Sequence, residues 1–147
     1  TITAFTILFL FITERTIIIK KRAYKVKEHE GTSELKLLIH IRNGKTHALD
    51  DVVIYDLVPT YVTLTDEYGT LKPTKIQQGL KSNRIVWTIG TLAPKEERVL
   101  SYKVKAKLDL IDAIFPPARM TYKTGNTYSS TTSRRATLQA PSQATSL

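Results

Sequence analysis

The chain contains no cysteine, which removes disulfides, zinc–thiolate sites and thiol catalysis together. The compartment stays open, because a cysteine-free protein is compatible with cytosol, a bacterial envelope or an archaeal surface. Glycine is scarce. Its six residues are scattered singly through turns, so they build no phosphate-cradling loop, and no Gly-x-Ser-x-Gly elbow is present. His29, His40 and His47 fall on different predicted elements, and none pairs with a carboxylate or a second histidine at metal-ligand spacing. The acidic pairs Asp50-Asp51, Asp66-Glu67 and Glu96-Glu97 read as turn-capping or solvated loop charges. None of the three asparagines opens a glycosylation sequon. These absences leave no expected catalytic, cofactor-binding or metal-binding residue, no enzyme activity and no small-molecule substrate.

Acidic residues are also few, 13 against 22 lysines and arginines, for a net charge of +9. Such an excess raises the question of a polyanionic partner. Ten of the 22 gather in three places: Lys20, Lys21, Arg22, Lys25 and Lys27 early, Lys103, Lys105 and Lys107 alternating later, and Arg134 with Arg135 near the end. Aromatic residues do not alternate with them in the manner of a single-strand stacking platform, Tyr24 being alone within the first run, so they read as solvated outer faces of strands. A basic nucleic-acid-binding protein is thereby the competing class rather than the favoured one.

What the chain does have is isoleucine, valine, threonine and tyrosine in short alternating runs bounded by turn residues, the pattern of an all-β sandwich. Residues 16–27 form a first strand. In 34–42, Leu35, Leu37, Ile39 and Ile41 share one face, with Leu38 the exception. Asn43-Gly44 is expected to turn through positive φ. Residues 51–57 form a strand closed by Pro59, 60–64 a short edge piece and 66–82 a long loop. In 84–89, Ile85, Trp87 and Ile89 point inward, and the only tryptophan fills the centre of the core. The clearest strand carries Leu100, Tyr102, Val104, Ala106 and Leu108 opposite Ser101, Lys103, Lys105 and Lys107. An irregular crossover over 109–115, an inward face at Ala118, Met120 and Tyr122, a Gly125-Asn126 turn and a final strand over 128–138 complete one copy of a seven- or eight-strand unit. Leu37, Ile39, Ile54, Trp87, Tyr102, Val104 and Met120 are expected to share one core.

Residues 2–12 are nearly all apolar, yet too few for the roughly 20 that cross a bilayer as a helix. They lack a basic n-region and a small-residue cleavage site. The chain begins with Thr1 rather than Met, which suggests processing or a fragment. Residues 1–15 are therefore set apart from a domain at 16–138 and a flexible tail at 139–147. The segment reads as the remnant of a removed or missing membrane anchor, an internal strand, or an extended strand that completes a neighbouring subunit, and its β-branched and aromatic content favours the last two.

The ordered series Arg42-Asn43-Gly44, Leu49-Asp-Asp-Val-Val-Ile-Tyr-Asp-Leu-Val-Pro59, Ile85-Val-Trp-Thr-Ile-Gly-Thr-Leu-Ala-Pro94 and Arg98-Val-Leu-Ser-Tyr-Lys-Val104 resembles the conserved Ig-like repeat domain of prokaryotic, especially archaeal, cell-surface proteins. The resemblance runs over about 16–138 and implies an immunoglobulin-like antiparallel β-sandwich, an extracellular cell-surface location, and a spacer, adhesive or lattice role without catalytic residues. Two features depart from it: this is a single copy of a unit that often occurs in tandem, and residues 2–12 lie outside the pattern. A surface filament of pilus or thread type, built by donating the N-terminal strand through Phe5, Ile7, Phe9 and Phe11, is the expected assembly. A membrane-anchored spacer or adhesion module of a larger surface protein is the alternative. The expected partners are copies of the same chain and other surface proteins. Ig-like surface domains can also place a strand lysine beside an asparagine and a buried carboxylate, which nominates Lys20 or Lys21, Asn126 and Asp56 for an intramolecular isopeptide bond.

Overall fold

A computed structural model of the chain describes residues 17–107 and 114–139. Those residues form eleven strands and no helix: β1 (Ile17–His29), β2 (Thr32–Asn43), β3 (Leu49–Pro59), β4 (Thr63–Tyr68), β5 (Lys75–Gln77), β6 (Ser82–Leu92), β7 (Glu97–Ala106), β8 (Ile114–Phe115), β9 (Arg119–Thr124), β10 (Thr127–Thr132) and β11 (Ala136–Gln139). They build two facing sheets, one in the order β4-β7-β2-β1-β11-β8 and the other β10-β9-β3-β6-β5. Every pairing is antiparallel except that of β1 with β11. This is the immunoglobulin-like sandwich expected from the alternation of apolar and polar residues.

The inner faces follow from that period of two. Leu35, Leu37, Ile39 and Ile41 of β2 are fully buried against Ile54 of β3, Ile85 and Trp87 of β6, and Met120 of β9. Leu100, Tyr102 and Val104 of β7 join them, while Ser101 and Lys103 are half-buried and Lys105 is exposed. Trp87 is fully buried among them. Its ring centroid is 6.0 Å from that of Tyr102, and its indole N–H donates to the Leu71 carbonyl at 3.3 Å. A buried indole that finds an acceptor keeps its apolar contribution without stranding a polar group.

The strand count exceeds the expected seven or eight for three local reasons. The loop anticipated over 66–82 contains β5, a short edge strand whose Ile76 registers with Ile85. Within the anticipated crossover, Ile114 and Phe115 form β8 against β11. The single final strand is broken in two because Ser133 pins a corner: its N–H donates to the Ala118 carbonyl at 2.8 Å, and its hydroxyl accepts the Ala118 N–H at 2.8 Å. The chain thereby leaves the β10 sheet and enters the β1 sheet.

Asn43-Gly44 also departs from its expected role. Neither residue has positive φ; left-handed positions lie elsewhere, among them Glu30-Gly31, between β1 and β2, and Gly125, between β9 and β10. Asn43 is a buried bracket at the end of β2. Its side-chain amide donates to the carbonyls of His47, Leu92 and Ala93 at 2.9, 3.0 and 3.2 Å, and its side-chain oxygen accepts the Lys45 N–H at 2.9 Å. One side chain thus ties the β2–β3 connection to the β6–β7 connection. The N-terminal segment and the tail beyond 139 lie outside the described residues.

Candidate functional site

The inward phase of two strands carries opposite charges. Along β1 the inner positions are Ile17, Ile19, Lys21 and Ala23, and along β3 they are Val52, Ile54, Asp56 and Val58. Lys21 Nζ donates to Asp56 Oδ1 at 2.6 Å and to the Pro116 carbonyl at 2.7 Å. The Tyr102 hydroxyl donates to Asp56 Oδ2 at 2.5 Å, and the Leu57 N–H reaches Oδ1 at 3.0 Å. Both charged side chains are 0% exposed, so the pair is a tie between the two sheets rather than a surface ion pair. Lys21 is therefore a correction to the solvated face expected for the early lysine cluster.

Burial sets the protonation of this group. It pushes the Lys21 amine below its ordinary value, and the attraction of Asp56 only partly opposes it. It pushes the Asp56 carboxyl up, against the pull of Lys21, Tyr102 and the Leu57 N–H. Tyr102 is raised well above the usual phenol, first by burial and then by the neighbouring Asp56. In each case removing water from the charged form outweighs the partner. Both oxygens of Asp56 are occupied by donors of the chain itself.

A second feature lies beside the first. On one side β1 pairs with β2 from Ile17 to His29. On its other side it meets β11 only at Ala23–Leu138 and Tyr24–Gln139, after which β11 turns its earlier residues to β8. Among the described residues, that edge of β1 has no ladder partner from Ile17 to Arg22. A groove of about 690 Å³ opens there between Ile17, Ile19 and Arg22 on one wall and Arg134, Ala136 and Thr137 on the other. Unpaired strand edges are templates for a further strand.

The outer face of the β1 sheet is cationic. Lys20 registers with His40 and then Val99, and Tyr24 with Lys36 and then Lys103. Lys103 is held by Glu67 at 3.0 Å and Arg42 by Glu97 at 3.1 Å. No carboxylate among the described residues lies within ion-pair distance of Lys20, Arg22 or Lys36.

Of the residues nominated for a crosslink, Lys21 and Asp56 meet. Lys20 points outward and is exposed, and Asn126 is exposed in the β9–β10 turn. Lys123, close to that turn, registers with Asp50, six residues along β3 from Asp56, which is about 20 Å of strand. The lysine–asparagine arrangement is thus not assembled. Phe5, Ile7, Phe9 and Phe11 lie outside the described residues. Sequence reading missed the Asn43 bracket and the second role of Tyr102. It could have found the ion pair, since 17-19-21-23 and 52-54-56-58 each place one charge in an otherwise apolar phase.

No protein-family model and no curated protein matches the chain. Solved structures do. The collagen-binding subdomain of the Enterococcus faecalis surface protein ACE superposes with a TM-score of 0.53 over 82% of this chain and 95% of that one, at 8% identity. A GH20 exo-β-N-acetylglucosaminidase from Vibrio harveyi superposes with a TM-score of 0.50 at 13% identity, over 83% of this chain. The chain spans only 18% of that enzyme's length. Likeness at such identities establishes the shared sandwich and carries neither ligand nor activity across.

Proposed function

We propose that the chain is an extracellular structural module of the cell surface that joins copies of itself by donating its apolar N-terminal strand. The observation that carries the reading is a mismatch between the two parts of the chain. The described residues already supply eleven strands and a core containing Leu37, Trp87, Tyr102 and Met120 at 0–1% exposure. Residues 2–12, by contrast, present large apolar side chains on both faces of any extended strand: Phe5, Ile7, Phe9 and Phe11 on one, and Ile2, Leu8, Leu10 and Ile12 on the other. Burying each is worth about 1.5–3 kcal/mol, so a partner surface for them is strongly favoured. The likeness to a subdomain of a bacterial surface protein supports an extracellular setting, as does the resemblance of 16–138 to surface repeat domains.

The test is deletion of residues 1–13, followed by sedimentation and circular dichroism. The expected outcome is a folded monomer where the full chain forms oligomers or filaments. Unfolding of the truncated chain would make the segment an internal strand. Unchanged assembly would leave it as part of an anchor, with the domain acting as a membrane-tethered spacer.

A further inference from the structure

We infer that the groove between β1 and β11 is the acceptor for the N-terminal strand of a second copy of this chain. The inference rests on the strand-donation reading above and adds where the donated strand goes. Three observations converge on that place. The β1 edge from Ile17 to Arg22 lacks a ladder partner among the described residues, so it offers about 20 Å of backbone donors and acceptors. The opposite wall, Ala136 and Thr137 of β11, pairs with β8 on only one side. The inner wall is apolar at Ile17, Ile19 and Ala136, while the rim is formed by Lys20, Arg22 and Arg134, whose aliphatic stems can lie along an inserted apolar strand.

The occupant follows from the chain that lies outside the described residues. The sequence before β1 includes eleven apolar-rich residues, 2–12, with no charge, more than the six needed to match Ile17 to Arg22. The same molecule could fill its own groove only by reversing within Thr13-Glu14-Arg15-Thr16. Tight hairpins need residues that tolerate positive φ, and none of these four is Gly, Asn or Asp. Where this protein does make tight hairpins, a glycine stands in the left-handed region, Gly31 next to Glu30 in one and Gly125 in the other. A strand arriving from another copy needs no such turn.

The absence of cysteine allows a clean crosslinking test in the full chain. Single variants Phe9→Cys and Thr137→Cys are co-expressed with different tags and oxidised, with Asn126→Cys, exposed at the far turn, replacing Thr137→Cys as the control. The expected product is a disulfide-linked pair containing one chain of each kind, roughly tenfold or more above the control because docking raises the local thiol concentration. Moving the donor cysteine through Ile7, Leu8, Phe9 and Leu10 should make the yield alternate with a period of two. A link confined within single chains carrying both Phe9→Cys and Thr137→Cys would overturn the inference in favour of a self-filled groove. Oligomers that persist without any link to Thr137→Cys or Ile18→Cys would overturn the acceptor while leaving strand donation intact, and the absence of oligomers would remove both.

Discussion

At the scale of single residues, the Lys21–Asp56 tie is the feature with the largest energetic stake. Removing one partner strands a buried charge, so Lys21→Met or Asp56→Leu alone should lower stability by about 3–5 kcal/mol. The double variant should recover part of that loss, because it leaves no buried charge unpaired but still strands the Tyr102 hydroxyl and the Pro116 carbonyl. Urea unfolding of all four proteins measures the coupling, and equal additive losses would show that the pair is not one unit. The pH dependence has an unusual sign. The folded carboxyl of Asp56 is raised above 3.8, so its contribution is fully present below that value and is lost as pH rises through the folded value. On acidification from neutral pH toward about 4, the stability gap between the native protein and Asp56→Asn should therefore widen. Glu96 behaves oppositely: the Ala93 N–H and then Arg98 hold it below 4.5, so its contribution is present above 4.5 and fades as pH falls through the lowered value. Since no asparagine neighbours Lys21, intact mass is expected to show no loss of ammonia. A deficit of one water instead would mean that Lys21 and Asp56 had condensed directly.

At the scale of strands, phase decided what could be read without coordinates. Leu35 to Ile41 and Leu100 to Ala106 alternate so regularly that their inner residues were legible, and all seven nominated core side chains are buried to 1% exposure or less. Trp87→Ala should cost about 3–5 kcal/mol, measured by chemical denaturation, because it opens the largest void in the core. What escaped the sequence lies where pairing depends on distant chain. The two residues of β8 have too little length to show a period, and the break at Ser133 depends on its bonds to Ala118, fifteen positions away. Asn43 was legible as a turn residue, but not as the donor to three carbonyls brought together by folding. Its replacement by Ala leaves the buried Leu92 carbonyl without that donor and should cost on the order of 2–3 kcal/mol. The open edge of β1 was invisible for the same reason, since a one-dimensional pattern does not say how far β11 accompanies β1.

At the scale of the whole molecule, the net charge of +9 meets a fold that distributes it unevenly. Lys20, Arg22 and Lys36 have no carboxylate among the described residues within ion-pair distance, and Arg134 and Arg135 stand across the groove from the first two. Such a surface attracts any polyanion by releasing counterions, so some retention of nucleic acid at low salt is expected. Specific recognition needs more, either base-reading side chains or several aromatic faces for stacking. Among the described residues, Tyr24 is the only aromatic residue in register with these cations; exposed Tyr128 belongs to β10 in the other sheet, and Tyr61 lies beyond the end of β3. Binding to duplexes of unrelated sequence should accordingly be equal, and log K should fall linearly with log salt by about 0.9 per phosphate contacted. Lys20→Glu with Arg22→Glu should reduce that slope without altering the fold, because both side chains are exposed on β1. Fluorescence anisotropy across a salt series provides the measurement. Affinity that survives near physiological salt, or that discriminates between sequences, would reverse the ranking of the two classes and make this a nucleic-acid-binding protein.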